Sequence, residues 1–160
     1  MSGIYINEKG RESKGIVSGE EKEGLKRELI EKLNGLMDDE MGVVAIRKCY
    51  SSTDYYNGPY KENGPDIIIG CNEGYRASWG AAVGRVDEKI FEDNKKSWSG
   101  DHCMDPPLVP GVLFCNKKIS RDNRPIVDIG PSVLELFGIE VPSYMTGKSL
   151  FNAKNKEEEN

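Results

Sequence analysis

Leucines at intervals of three and four residues are the clearest periodic signal in the chain. They stand at Leu25, Leu29, Leu33 and Leu36, with lysine and glutamate on the opposite face. This spacing predicts a helix with one apolar face packed on a sheet. Ser18 precedes the pattern and Glu21 follows three residues later, which is the arrangement of a capping box. The predicted helix therefore begins at Ser18 and ends near Met37.

Short apolar runs predict strands at residues 3–7, 43–50, 66–70 and 112–115. The run at 43–50 is rich in β-branched side chains. The run at 66–70 lacks polar alternation, as in a strand that is buried on both faces. The first run starts almost at the first residue, so we expect the chain to begin within a larger fold.

A second helix is predicted after Asp128, a possible N-cap, with Pro131 in its first turn and Gly138 at its end. The side chains expected to pack inward are Val133, Leu134, Leu136 and Phe137. Strands alternating with helices indicate a layered α/β fold. Because two helices are few for covering a buried sheet, we expect this fold to be partial. We predict one α/β domain over residues 1–152 and a charged, flexible tail at 153–160.

Composition narrows the classes of function. The chain has 160 residues and a net charge of -5, which argues against a nucleic-acid partner. We expect no membrane partner, since no apolar run is long enough to cross a bilayer and the N-terminus lacks the pattern of a signal peptide. The cysteines, at positions 49, 71, 103 and 115, are widely spaced. We therefore expect reduced thiols and a cytoplasmic location.

The segment 95–105 contains the only histidine, His102, flanked by Asp101, Cys103 and Asp105. All four are metal-compatible residue types. Neighbours in an extended loop point in different directions, however, and a closed zinc site usually takes ligands in spaced pairs. Three alternatives stay open from the residues: a zinc site that recruits other cysteines, a Cys–His nucleophilic pair, and a histidine that only hydrogen-bonds within its loop.

Arg76 and Trp79 follow the buried strand predicted at 66–70. Binding groups gather just past the carboxyl ends of strands in open α/β sheets. Both residues are therefore candidates for the wall of a substrate pocket. The alternative is that Trp79 belongs to the core and Arg76 to the surface.

Residues 127–142, followed by Gly-Lys-Ser-Leu at 147–150, resemble the C-terminal block of the alkaline phosphatase superfamily. Its pattern is D-I-x-P-[ST]-[VIL]-L-x-L-x-G-[IV]-x-x-P and then G-[KR]-[SP]-L. Sulfatases, cofactor-independent phosphoglycerate mutases and nucleotide pyrophosphatases share versions of it. Residues 70–79 and 92–103 look most similar to the type I phosphodiesterase/nucleotide pyrophosphatase branch, and so do shorter stretches at 3–7 and 109–114.

The resemblance implies a partial alkaline-phosphatase-like fold and a metal-dependent phosphoric-ester hydrolase. In that superfamily two metal ions, commonly zinc, flank a Thr or Ser nucleophile. His102 matches the last metal ligand in chain order. Asp101 is not carried over as a ligand and is expected beside the ligands, without binding the metal.

The chain departs from the family where the catalytic groups should be. It lacks the first strand with its metal-binding Asp, the nucleophile segment, the Asp-x-x-x-His ligands and the upstream Asp-His pair. We therefore assign no catalytic residue and expect zinc, or another divalent metal, only if a polypeptide carrying the N-terminal half completes the site. Alone, the chain should be inactive. The alternative is a non-catalytic remnant that binds a partner or forms a homo-oligomer.

Overall fold

The structure, a computed structural model, describes residues 2–98, 100, 101 and 103–151. The chain divides after Pro110 into two compact units, which are described separately. The predicted single domain over 1–152 stays a prediction, and the tail at 153–160 lies outside the described residues. The predicted fold class is confirmed: the fold is mixed α/β, with short strands in small sheets and two α-helices in the described ranges.

The first unit is built on a three-stranded sheet. Strand β5 (Ile67–Cys71) lies between β1 (Ser2–Ile4) and β4 (Ile46–Ser51), and it is antiparallel to both. A two-stranded sheet pairs β2 (Met37–Asp38) with β3 (Val43–Val44). The predicted burial of the central strand is confirmed, since four of its five residues are buried.

Helix α1 (Gly19–Leu33) begins as predicted. The Ser18 hydroxyl accepts a hydrogen bond from the Glu21 N–H, and the Glu21 carboxylate accepts one from the Ser18 N–H. The helix ends earlier than the leucine pattern predicted, because Gly35 takes a positive φ of 72°. The carbonyl of Leu36 then accepts hydrogen bonds from the N–H groups of Ala45 and Ile46, where β4 begins.

The buried face of α1 differs from the predicted one. Its buried residue is Lys26, at 5% exposure, whereas Leu25, Leu29 and Leu33 are only partly covered. Lys22, one turn before Lys26, reaches the carboxylate of Asp66. Charge pairing, together with the leucines, therefore fixes how this helix contacts the rest of the unit.

The second unit contains α2 (Ile129–Leu136), which ends close to Gly138 with its positive φ of 70°. The predicted inward packing is wrong for three side chains, since Val133, Leu136 and Phe137 are 44%, 50% and 78% exposed. The strand expected at 112–115 is not formed either, and these residues have no ladder partner in the described part of the chain.

Buried apolar residues are few in the described ranges. They are Ile6, Ala45, Cys49, Ile67, Ile68, Cys71 and Leu150. Many large apolar side chains remain exposed, including Trp98, Phe114 and Ile126 at 81%, 92% and 86%. No helix in the described ranges is long and apolar enough to cross a membrane.

Candidate functional site

The carboxyl end of β5 brings together three of the residues singled out in the sequence. Arg76 Nε lies 3.2 Å from Asp101 Oδ2, and its guanidinium stacks 4.4 Å from the ring centre of Trp79. Trp79 is 58% exposed, so it is not a core residue. Arg76 is oriented by a carboxylate on one side and an aromatic face on the other. Such a guanidinium is suited to binding phosphoryl or carboxylate oxygens.

The segment that carries His102 is attached to the same end of the strand. Met104 forms a parallel bridge with Cys71, and the Asp105 N–H donates to the Cys71 carbonyl at 2.9 Å. The Cys103 N–H donates to Asp101 Oδ1 at 2.8 Å, which shapes the turn. His102 itself lies outside the described residues, so its assignment as a metal ligand stays a prediction.

The buried side chain of Asp105 holds the polypeptide next to Cys71 in place. It is 1% exposed, and its carboxylate accepts a hydrogen bond from the Tyr50 hydroxyl at 2.6 Å. Arg47 Nε lies 3.1 Å from the second carboxylate oxygen. The hydrogen bond to Asp105 raises the pKa of Tyr50 to about 12. With both oxygens engaged inside the fold, Asp105 holds the loop in place.

Gly70 makes the position of Asp105 possible. A Cβ at Gly70 would lie 2.6 Å from Asp105 Oδ1. The sequence named Asp105 only as a metal-compatible residue beside His102. Its buried role depends on partners twenty or more residues away, which local patterns do not reveal.

The buried cysteines are poor candidates for nucleophiles. Burial, with a smaller effect from Asp101, raises the pKa of Cys71, and burial raises the pKa of Cys49 to about 11. A raised pKa lowers the fraction of thiolate, which is the form that attacks as a nucleophile. Across the described residues, no group of three or more His, Cys, Asp or Glu side chains could hold a metal ion. These residues alone do not fit a metal centre.

In the second unit, Asp128, which belongs to the family-like block at 127–150, is the centre of a hydrogen-bond network. It is 2% exposed. Its carboxylate accepts hydrogen bonds from Arg121 Nη1 at 2.7 Å and from the Lys148 N–H at 2.8 Å. The side chain is therefore occupied with holding the 147–150 segment instead of capping α2.

Ser132 and Gly147 complete this connection. The Ser132 hydroxyl donates to the Asp128 carbonyl at 2.6 Å and accepts from the Leu150 N–H at 2.9 Å. A Cβ at Gly147 would collide with the carbonyl oxygen of Val127. The two parts of the family-like block thus form one hydrogen-bonded structure whose polar groups serve the fold.

Comparison with known proteins supports the family resemblance only at a coarse level. The chain is 26% identical over 113 residues to a 2,3-bisphosphoglycerate-independent phosphoglycerate mutase of Wolbachia pipientis wMel. The match covers 71% of this chain but only 19% of the mutase. No family model matches the chain, and no solved structure matches it. The similarity supports the alkaline phosphatase superfamily and does not favour the phosphodiesterase branch within it.

Proposed function

We propose that this chain is the C-terminal part of a phosphodiesterase or nucleotide pyrophosphatase-like hydrolase of the alkaline phosphatase superfamily. The nucleophile and most metal ligands would lie on another polypeptide that carries the N-terminal half. The observation that carries the proposal is the attachment of Met104 and Asp105 to Cys71 at the carboxyl end of β5, together with the contacts of Arg76 with Asp101 and Trp79. Since β5 is antiparallel to both neighbouring strands, the support comes from these contacts and not from the shared carboxyl edge of a parallel sheet.

The contacts of Arg76, Asp101 and Trp79 support a role for each of them. The Arg76 guanidinium would bind a phosphoryl oxygen, and Asp101 would hold that guanidinium in position. The exposed face of Trp79 would contact an organic substituent of the ester. His102 would contribute one ligand to zinc or another divalent ion, whose remaining ligands come from the partner.

The need for a partner is supported by exposed apolar side chains in each unit. Trp98 in the first unit is 81% exposed, and Phe114 and Phe137 in the second unit are 92% and 78% exposed. A polypeptide with the missing half of the domain would cover part of the apolar surface of each unit on assembly.

Reconstitution tests the proposal. The purified chain is mixed with a polypeptide bearing the N-terminal half, and bis-p-nitrophenyl phosphate hydrolysis is measured with zinc. We expect activity only in the mixture, its loss in His102→Ala, and its retention in the neighbouring control Cys103→Ser. A mixture with no activity would contradict the proposal. If the mixture hydrolyses the monoester p-nitrophenyl phosphate faster than the diester, the superfamily assignment stands and the phosphodiesterase assignment is wrong.

A second candidate is a non-catalytic module that associates with itself. It is favoured by the edges of the three-stranded sheet, since β1 and β4 each pair on one side only in the described part. Light scattering on metal-free chain separates the two candidates. A stable homodimer favours the self-associating module, whereas a monomer that binds the N-terminal polypeptide favours the hydrolase.

A further inference from the structure

A second concave site lies in the first unit, at the opposite end of β5 from Arg76 and Asp101. It is a cavity of about 240 Å³. Its lining is rich in cations and hydroxyl groups and includes Arg11, Lys22, Lys26, Lys61, Ser52 and Thr53. Three acids, Glu23, Glu62 and Asp66, also line it. A ligand can contact only those charged groups that are not already held by other side chains.

Asp66 is fully engaged by its own partners. Arg11 donates to both carboxylate oxygens at 2.9 and 2.7 Å, Lys22 Nζ lies 2.9 Å from Oδ1, and the Ile6 N–H donates to Oδ2 at 2.7 Å. Burial alone would raise the pKa of Asp66, but the hydrogen bonds from Arg11 and Lys22 prevail and hold it well below its usual range. Arg11 also pairs with Glu12 at 2.9 Å and Lys22 with Glu8 at 2.7 Å, so these two cations are already neutralised and the cations left for a ligand are Lys26 and Lys61.

Lys26 is the least expected group in the wall. Its side chain is 6% exposed, and its ammonium donates to Glu23 Oε1 at 2.7 Å. Within the described residues that is its one hydrogen bond, although an ammonium has three donors. Glu23 is 65% exposed and can turn into solvent. A buried ammonium with spare donors is costly without a further anionic or polar partner.

The opposite wall supplies a second available cation. Lys61 is 51% exposed, and its ammonium lies 3.9 Å from Glu62, which is itself 74% exposed. Such an exposed pair is weak and is readily exchanged for another anion. Ser52 and Thr53 also line the cavity, and the Thr53 hydroxyl is hydrogen-bonded to the Ser51 hydroxyl at 2.7 Å. Two ammonium groups and nearby hydroxyls match the oxygens of a phosphate group.

The cavity continues into a groove of aromatic side chains. This groove, of about 440 Å³, shares Tyr56, Lys61 and Gly64 with the cavity and is also lined by Tyr55, Tyr60 and two prolines. Tyr60 is 78% exposed. A planar group attached to a phosphate in the cavity would reach this aromatic surface directly. Stacking on such a surface adds affinity with little demand on the identity of the ring.

We propose that this site binds a phosphate monoester of a planar ring. The phosphoryl group lies between Lys26 and Lys61, and the ring lies against Tyr56 and Tyr60. Glu23 and Glu62 exchange their lysine partners for solvent when the ligand enters. The site is separate from the end of β5 that carries the proposed hydrolase residues, and the proposal does not depend on that function.

Binding of phenyl phosphate to the whole chain tests the proposal, by calorimetric titration beside inorganic phosphate and phenol. We expect phenyl phosphate to bind several-fold more tightly than phosphate, and phenol to bind undetectably. Lys26→Gln should raise the dissociation constant for phenyl phosphate about tenfold, as expected for loss of a charge-assisted hydrogen bond. The matched control is Lys32→Gln, on the same helix, where Lys32 is 70% exposed and paired with Glu28. This control should bind as the wild type does.

Two further variants protect the test against misfolding of Lys26→Gln. Lys61→Gln changes a half-exposed side chain and should weaken the binding of both phenyl phosphate and inorganic phosphate. Tyr60→Ala should weaken the binding of phenyl phosphate and leave that of inorganic phosphate unchanged. Wild-type affinity in Lys61→Gln, or equal affinity in Lys26→Gln and Lys32→Gln, would overturn the anion site. Equal affinity of the wild type for phosphate and phenyl phosphate would overturn the ring contact.

Discussion

The Ser132 hydroxyl accepts a hydrogen bond from the Leu150 N–H at 2.9 Å while it donates to the Asp128 carbonyl at 2.6 Å. One side chain thus joins the start of α2 to the segment that ends the family-like block. Ser132 is 3% and Leu150 2% exposed, so the connection is made away from water. The motif that carries the family resemblance is therefore a structural connection between two parts of the chain.

Replacing Ser132 by alanine removes both hydrogen bonds. Since the Leu150 N–H is then left buried and unpaired, we expect its local opening free energy to fall by about 1–3 kcal/mol. Native-state hydrogen exchange at the Leu150 amide measures this change. Ser143→Ala, at an exposed position in the same unit, is the control. Unchanged protection of Leu150 in Ser132→Ala would contradict the structure at this point.

Two glycines of the second unit should respond oppositely to alanine. Gly147→Ala should lower the melting temperature, because the new Cβ collides with the Val127 carbonyl. Gly130→Ala, inside α2, finds only Met145 atoms at 3.9 Å and removes a flexible residue from a helix. It should raise helix stability by up to about 1 kcal/mol. Equal melting temperatures for the two variants would argue against the packing at Gly147.

Acid should destabilise the first unit through Asp66. The folded-state pKa of Asp66 is below its unfolded value because of Arg11 and Lys22. Its contribution is therefore present above about pH 4 and is lost as the pH falls further. Unfolding free energies measured from pH 7 to pH 2 should fall more steeply for the wild type than for Asp66→Asn. Asp54→Asn, at an exposed position, should retain the wild-type slope.

Tyr50 should ionise only at high pH, because its hydroxyl donates a hydrogen bond to Asp105. Its folded-state pKa of about 12 is above the ordinary value, so the stabilisation is present below pH 10 and lost as the pH rises towards 12. In Tyr50→Phe, we expect the free energy of unfolding to fall by about 1–3 kcal/mol. The absorbance change of the tyrosine that ionises at the highest pH should also disappear. An absorbance titration identical to that of the wild type would contradict the hydrogen bond to Asp105.

Local features of the fold could be predicted from the sequence, whereas long-range ones could not. The capping box of Ser18 and Glu21 was correct because both partners lie within one helical turn. The sequence places Lys26 on the charged face of the predicted helix. In the structure it is 5% exposed and lines a cavity together with residues from distant segments, such as Ser52 and Asp66. Asp105 likewise needed Tyr50 and Gly70, which are far away in the chain.

The candidate site shows the same division. Arg76 and Trp79 were found because they follow a recognisable buried strand, and the structure adds their contact with each other and with Asp101. The apolar residues of α2 were expected to pack inward, and those of 112–115 to form a strand, because both runs are apolar. Their exposure reflects the small amount of surrounding structure that is present to cover them.

The zinc content of the complex with the N-terminal polypeptide tests the central claim most directly. If His102 is the last ligand of a site completed by that partner, the wild-type complex should bind about two zinc ions. The complex with His102→Ala should bind measurably fewer, and the isolated chain should retain less than about one-tenth of an ion. Equal zinc content in the wild-type and His102→Ala complexes, after gel filtration confirms that both assemble, would contradict the claim.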